Sequence, residues 1–446
     1  MIHPYLPGTE KDQKIMLDRI GVASVDDLFK AVPSAVKLKK DLELEPALSE
    51  IDVKRRLSTL ANKNTSVDEM SCFLGAGAYD HYIPSTVKHI ISRSEFYTAY
   101  TPYQPEVAQG TLQSVWEYQS MMTMLTGMEV SNVSMYDGPT AAAEACMLAT
   151  ATQRRLKVLV SEGCNSETQQ VVETYLLRRD VAIEYIPVTA EGRTDMVELA
   201  AKLDKDVAAV LVANPNFYGV IEDLTDITEK IHANKSLLIM QVDPLSLGLL
   251  KTPGEIGADI VCGEGQSLGQ NLNYGGPALG FLNFTEKLMR KAPGRIIGRT
   301  KDIEGTPAYV LTLQTREQHI RRDKATSNIC SDQTLNAVAA GVYLASMGPE
   351  GMKEAAVQST QKAHYLAKKL EATGKFKLKY TGPFFKEFVM ETDLDVKKMN
   401  DSLLAKHILG PLDLAPCGVK GAVLFCVTEN RSKAEMDQLV AALEVL

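Results

Sequence analysis

Apolar residues follow two different rhythms along this chain, and the changes of rhythm divide it. The first rhythm is helical. EKDQKIMLDRIG sets Ile15, Met16 and Ile20 at helical spacing and closes on Gly21. VDDLFKAV continues as far as Pro33, and SEIDVKRRLSTLANKN predicts a further helix. Residues 1–65 are expected to form a helical arm.

Beyond residue 110 two rhythms alternate. TLQSVWEYQSMMTMLTG predicts an amphipathic helix ending at Gly127, and TAAAEACMLATATQRR is rich in strong helix formers. Short β-branched runs then recur between helical stretches: VLV at 158–160, IEYI at 183–186, AVLV at 209–212, LLIMQV at 237–242 and DIV at 259–261. Strands that are apolar throughout belong to a sheet covered on both faces. Strand–helix alternation of this spacing predicts a mostly parallel α/β sheet over residues 66–330. The rhythm changes again after residue 300. A long helical region over 331–373 precedes FKLKY, KEFVMET, a helix near 396–406, the strand AVLFCVT and a last helix from Lys433. Residues 331–446 are expected to form a smaller α+β domain. No internal repeat or low-complexity linker interrupts this plan.

Composition narrows the function classes. The chain has 446 residues, 45% hydrophobic and 23% charged, with a net charge of −8. That is ordinary globular composition. An acidic balance without a basic stripe argues against nucleic acid as a partner. No apolar run reaches the ~18–20 residues of a membrane span. MIHPYLPGTEKDQKIML lacks a basic region followed by an apolar core, so no signal peptide is expected. The 7 cysteines form no CxxC pair, which suits free thiols in a reducing cytoplasm. The 7 histidines form no HExxH or similar set, so no metal is expected.

The chemistry gathers where an apolar strand, LLIMQV, runs into Asp243 and Pro244. A carboxylate at the carboxyl end of a central strand lies at the usual ligand crevice of an open sheet. ADIVCGEGQSLGQNLNYGGPALGFL follows. Together these stretches read as the cofactor half of a pyridoxal-phosphate (PLP) enzyme, in which a carboxylate faces the pyridine nitrogen and a later lysine tethers the cofactor as a Schiff base. The lysine is missing. Gln266 and Ser267 stand in that stretch, and an amide cannot form an imine. Lys251, in GLLKTPGEIGAD, precedes the next strand and is expected to face away from the crevice. Gly275-Gly276-Pro277 marks either a plain turn or a close backbone approach.

Other segments carry weaker chemistry. FYTAYTPYQPEVAQG (96–110) spaces Tyr97, Tyr100 and Tyr103 three apart between prolines, which favours an extended turn. Thr101 and Gln104 add hydrogen-bonding groups to these rigid amphipathic rings. MYDGPTAAAEA (135–145) has the form of a phosphate-binding helix start, but Pro139 removes an amide donor and Asp137 repels an anion, so an ordinary capped helix is expected. TREQHIRRDKATSNIC (315–330) sets Arg316, Arg321, Arg322 and Lys324 beside Ser327 and Asn328, a candidate anion site or a solvated helix face. GAGAYDHYIP (75–84) has no third glycine in register and no preceding strand, which excludes a dinucleotide fingerprint.

FLGAGAYDHYIP, YTAYTPYQPEVAQG, MYDGPTAAAEA, GEGQSLG followed by NYGGPALGF, PGRIIG and QTREQHIRRDKATSNIC together resemble the first subunit of glycine dehydrogenase (decarboxylating), the N-terminal half of the glycine cleavage P-protein. The resemblance covers nearly the whole chain; residues 270–273, Asp323, Ser331 and Asp332 depart from the pattern. It implies the aspartate-aminotransferase fold (fold type I) with arm, large domain and small domain. It implies an α2β2 assembly in which PLP is bound by a homologous second subunit that has the lysine. Glycine then loses CO2 and its aminomethyl group passes to the lipoyl arm of the H-protein. Active sites of this fold lie at subunit interfaces. Tyr97, Tyr100, Thr101, Tyr103 and Gln104 are therefore expected to line the partner's site. Arg321, Arg322, Lys324, Ser327 and Asn328 are expected near its phosphate or interface, and Asp243, Gln266 and Ser267 remain as a degenerate crevice. A self-sufficient PLP lyase or transferase, and a non-catalytic regulatory or scaffold subunit, are the alternatives.

Overall fold

The structure, a computed structural model, describes residues 5, 7–40 and 42–446. Part of the N-terminal segment read above for a signal peptide lies outside the described residues. The chain forms two units, Met1–Thr65 and Ser66–Leu446.

The first unit contains helix α1 (Glu10–Ile20) and helix α2 (Glu50–Ala61). Thr9 caps α1 in a reciprocal box with Asp12, and Gly21 ends it at φ +82°. Neither helix has a buried residue, and Ile15, Met16, Ile20, Ile51 and Leu57 are all exposed.

The second unit is built on a seven-stranded sheet. Its strands are β1 (Val130–Ser131), β2 (Lys157–Ser161), β3 (Ala182–Ile186), β4 (Val207–Ala213), β5 (Leu237–Gln241), β6 (Ile260–Glu264) and β7 (Gly280–Phe284), in the order β1-β7-β6-β5-β4-β2-β3. β2 to β6 are parallel, whereas β7 runs antiparallel to both β6 and β1. Alternate residues face opposite cores. Leu159, Val210, Val212, Leu238 and Met240 pack on one side, and Val158, Val160, Leu211, Ile239 and Cys262 on the other. Both faces are covered, so the strands carry no polar alternation.

Helix α3 (Gln109–Thr126) ends at Gly127, in the left-handed region at φ +70°. Helix α4 (Gly138–Gln153) is buried nearly all round, and its run of alanines lets it lie close against the sheet. Beyond the sheet, β8 (Ile296–Lys301) and β9 (Pro307–Thr312) form an antiparallel hairpin. The C-terminal sheet is antiparallel, with β10 (Phe376–Leu378), β11 (Glu387–Thr392), β12 (Leu412–Asp413) and β13 (Ala422–Cys426) in the order β10-β11-β13-β12. Helix α5 (Thr334–Ala372) serves both sheets. Ala337, Ala340 and Tyr343 join the central core, while Ala363, Leu366 and Leu370 pack against Phe388 and Phe425 of the C-terminal sheet. The helix breaks at Gly348 (φ +59°), and Pro349 opens its second half.

Candidate active-site crevice

The carboxyl ends of β4, β5 and β6 open on a cavity of about 530 Å³. Ala213, Gln241 and Glu264 reach it from the strands, Asp137 from the start of α4, and Lys386 and Glu387 from the start of β11. The Gly275–Pro277 segment forms part of its wall. Asp243 and Gln266 line it; Lys251 does not.

Asp243 meets a backbone amide with one oxygen and a buried cation with the other. Its Oδ1 accepts the Leu245 N–H at 3.0 Å, capping the turn that follows β5. Its Oδ2 lies 2.6 Å from the Nζ of Lys386. Lys386 is 1% exposed. Its ammonium also lies 2.9 Å from Nε2 of His81 and 3.3 Å from the ring centroid of Tyr79. His81 in turn meets Glu429 through Nδ1 at 2.6 Å. A chain of charged and polar groups thus runs from the central sheet to the end of the C-terminal sheet. Glu387 sits beside it, accepting the Ala76 N–H at 2.7 Å and the Tyr79 hydroxyl at 2.9 Å. Burial pushes its carboxyl up to about 7.

Gln266 has a second role that its amide supplies. Its Oε1 accepts the Tyr79 N–H at 2.9 Å, and its Nε2 donates to the Tyr79 carbonyl at 3.1 Å and to the Gln270 carbonyl at 2.7 Å. Ser267 departs from the sequence expectation. It is buried beside the crevice but does not line it, and its hydroxyl has no hydrogen-bond partner in the protein.

At the opposite end, α4 begins as a capped helix. Asp137 Oδ1 accepts the Thr140 N–H at 2.7 Å, and Thr140 Oγ1 accepts the Asp137 N–H in return. The Gly138 N–H donates to Glu264 Oε2 at 3.0 Å. Burial raises the Glu264 carboxyl despite three backbone N–H donors. These residues do not fit PLP: no amine stands at the tether, a lysine holds Asp243, and two carboxylates hold the helix amides.

The tyrosine loop lies outside the crevice lining. Tyr100 is 87% exposed and Tyr97 70%, with Gln104 exposed and Thr101 half-buried. Tyr103 is held from beneath by Arg295, whose Nη2 donates to the Tyr103 hydroxyl at 3.2 Å and to the Cys330 carbonyl at 2.6 Å. Arg295 Nη1 pairs with Asp332 at 2.7 Å. Arg295 therefore joins the tyrosine loop to the 327–332 segment. In and just before that segment, Arg321, Arg322, Lys324 and Asn328 are exposed. Ser327 corrects the surface expectation: it turns inward and donates to the buried Glu144 on α4 at 2.6 Å.

The family model of the glycine cleavage system P-protein matches residues 3–443. The chain belongs to this P-protein family. The probable glycine dehydrogenase (decarboxylating) subunit 1 of Desulforamulus reducens is 53% identical over 98% of this chain and 99% of its own. A crystal structure of glycine decarboxylase (P-protein) of the glycine cleavage system, in inhibitor-bound form, superposes with a TM-score of 0.92 at 39% identity, covering 99% of this chain and 100% of that one. A C-DES mutant with glycine covalently linked to its PLP cofactor shares the fold at a TM-score of 0.62 and 14% identity, over 85% of this chain and 97% of that one. The fold is that of PLP-dependent fold type I enzymes, and the chain is a P-protein subunit.

The sequence did not single out Lys386, Glu144 or Arg295 of this P-protein chain, nor Tyr79, His81, Glu264, Glu387 and Glu429 around the crevice. Lys386 opens KEFVMET, where a Lys-Glu pair before buried Phe388 and Val389 was a faint signal. Glu144 sits inside an alanine-rich helix, an unusual place for a carboxylate. Arg295 in PGRIIG gave no signal of its own. Among the described residues no helix is long and apolar enough to cross a membrane, and no group of His, Cys, Asp or Glu is placed to hold a metal ion. All seven cysteines are free thiols.

Proposed function

We propose that this P-protein chain is the accessory half of a two-chain glycine decarboxylase. A homologous second subunit supplies the lysine and carries PLP, in an α2β2 assembly in the cytoplasm. The pair removes CO2 from glycine and passes the aminomethyl group to the lipoyl arm of the H-protein, an oxidoreductase reaction. The observation that carries this reading is the loop after β6, where Gln266 and Ser267 replace an imine-forming amine and Gln266 is committed to backbone hydrogen bonds. The exposed arm helices and the exposed tyrosines support a large subunit interface.

Tyr97, Tyr100, Thr101, Tyr103 and Gln104 line the partner's site and keep water from its reacting centre. Arg321, Arg322, Lys324 and Asn328 face the partner's phosphate or the interface, and Ser327 holds their segment from inside. Residues 66–330 and 331–446 act as the large and small domains behind these segments.

The experiment pairs this chain with a co-expressed, lysine-bearing homologue. Tyr100→Phe and Gln104→Ala each lower glycine turnover of the assembled pair by about tenfold or more, a loss of roughly one transition-state hydrogen bond, with unchanged elution as a complex. Glycine turnover by this chain alone would overturn the proposal.

A further inference from the structure

We infer that this chain's own crevice is closed to PLP by charged side chains of the chain itself, so that replacing the missing lysine would not reopen it. This deepens the accessory-subunit reading and rests on it.

Three separate features close the crevice. At one end the Lys386 ammonium lies 2.6 Å from Asp243 Oδ2. A pyridine nitrogen would need that carboxylate, and it would meet a buried cation instead. Lys386 is held there by three groups, since His81 Nε2 is 2.9 Å away and the Tyr79 ring face 3.3 Å away. At the other end the amides that begin α4 are spent. Gly138 donates to Glu264, Thr140 donates to Asp137, and Pro139 has no N–H. Two carboxylates therefore stand where a phosphate dianion would need donors. Between the ends, the Gln266 amide clasps both backbone groups of Tyr79, which fixes the ring on which Lys386 rests.

The same contacts tie three elements together. Asp243 follows β5, Lys386 and Glu387 stand at the start of β11, and Tyr79 and His81 belong to a segment that precedes both in the chain. Charges that another chain of this fold would direct at a cofactor are here directed at each other. The crevice has become a brace between the two sheets.

The test measures PLP itself binding to the purified full-length chain, by equilibrium dialysis and by borohydride reduction followed by intact mass. Gln266→Lys and Ser267→Lys are expected to give no reducible adduct, and a stoichiometric adduct on either would overturn the inference. The charge variants Glu264→Gln, Lys386→Met and their combination with Asp137→Ser are expected to raise PLP affinity stepwise, the combination by at least about tenfold. Equal affinity in the natural chain and in Glu264→Gln would also overturn it, and that isosteric change keeps the inference testable if the combination does not fold. Failure of the accessory-subunit reading would appear differently, as glycine turnover by the unaltered chain.

Discussion

Arg295 holds Tyr103 in two ways at once: its Nη2 donates to the phenol oxygen at 3.2 Å and its guanidinium carbon lies 5.5 Å from the ring centroid. The same side chain pairs with Asp332 and bonds the Cys330 carbonyl. The tyrosine loop and the 327–332 segment are therefore tied together through one side chain.

Arg295→Met should leave Asp332 buried without its cation, at a cost of about 3–5 kcal/mol. Adding Asp332→Asn should recover much of that stability. Turnover of the assembled pair should stay depressed in the double variant, because Tyr103 remains unheld. Urea unfolding of the chain and kcat of the pair separate the two effects. Full recovery of kcat in the double variant would show that Arg295 serves stability alone.

Glu144 sets a pH dependence. Burial pushes its carboxyl up to about 7, with the Ser327 hydrogen bond pulling the other way. A carboxyl raised on folding holds more protons in the folded than in the unfolded state. Its contribution is therefore fully present below about 4.5 and is lost as pH rises through about 7. Glu144→Gln should remove this slope, so that the variant gains on the natural chain by about 2–3 kcal/mol between pH 5 and pH 8. Denaturant midpoints at several pH values measure it, and parallel curves for the two chains would sink the assignment.

Gly219 marks a close backbone crossing. It has φ +83°, and a Cβ there would overlap the Glu387 carbonyl. Gly305 has a similar φ of +85° with no atom within 4 Å of an added Cβ. Gly305→Ala should cost about 1 kcal/mol, from backbone strain alone. Gly219→Ala should cost roughly 2–4 kcal/mol more, since β11 must shift. Thermal unfolding of the two variants compares them. Equal losses would mean that the crossing is slack.

Gln266→Ala would leave both backbone groups of Tyr79 without their side-chain partner. A buried unmet donor and acceptor cost about 1–3 kcal/mol each, so this variant should be less stable than one lacking a surface amide such as Gln104→Ala. Amide hydrogen exchange at Tyr79 is the direct measurement, and unchanged protection there would count against the clasp.

Much of this architecture was written in local pattern. The strand runs at 158–160, 209–212 and 237–242 are apolar because both faces of the sheet are buried, and that rule needs no tertiary information. Gly21 and Gly127 stop helices because the left-handed turn they adopt excludes most side chains. The substitution at Gln266 was equally legible, since an amide is not an amine wherever it lies.

What the chain alone determined is therefore its rhythm, its stops and the chemistry it lacks. Only the tertiary structure decided that Lys386 meets Asp243, that Ser327 turns inward to Glu144, and that Arg295 carries Tyr103. The partners in each of these contacts lie far apart in the chain, and a side chain's charge does not record which distant carboxylate, hydroxyl or ring will neutralise it. Burial selects the partner, because a charge removed from water must find one.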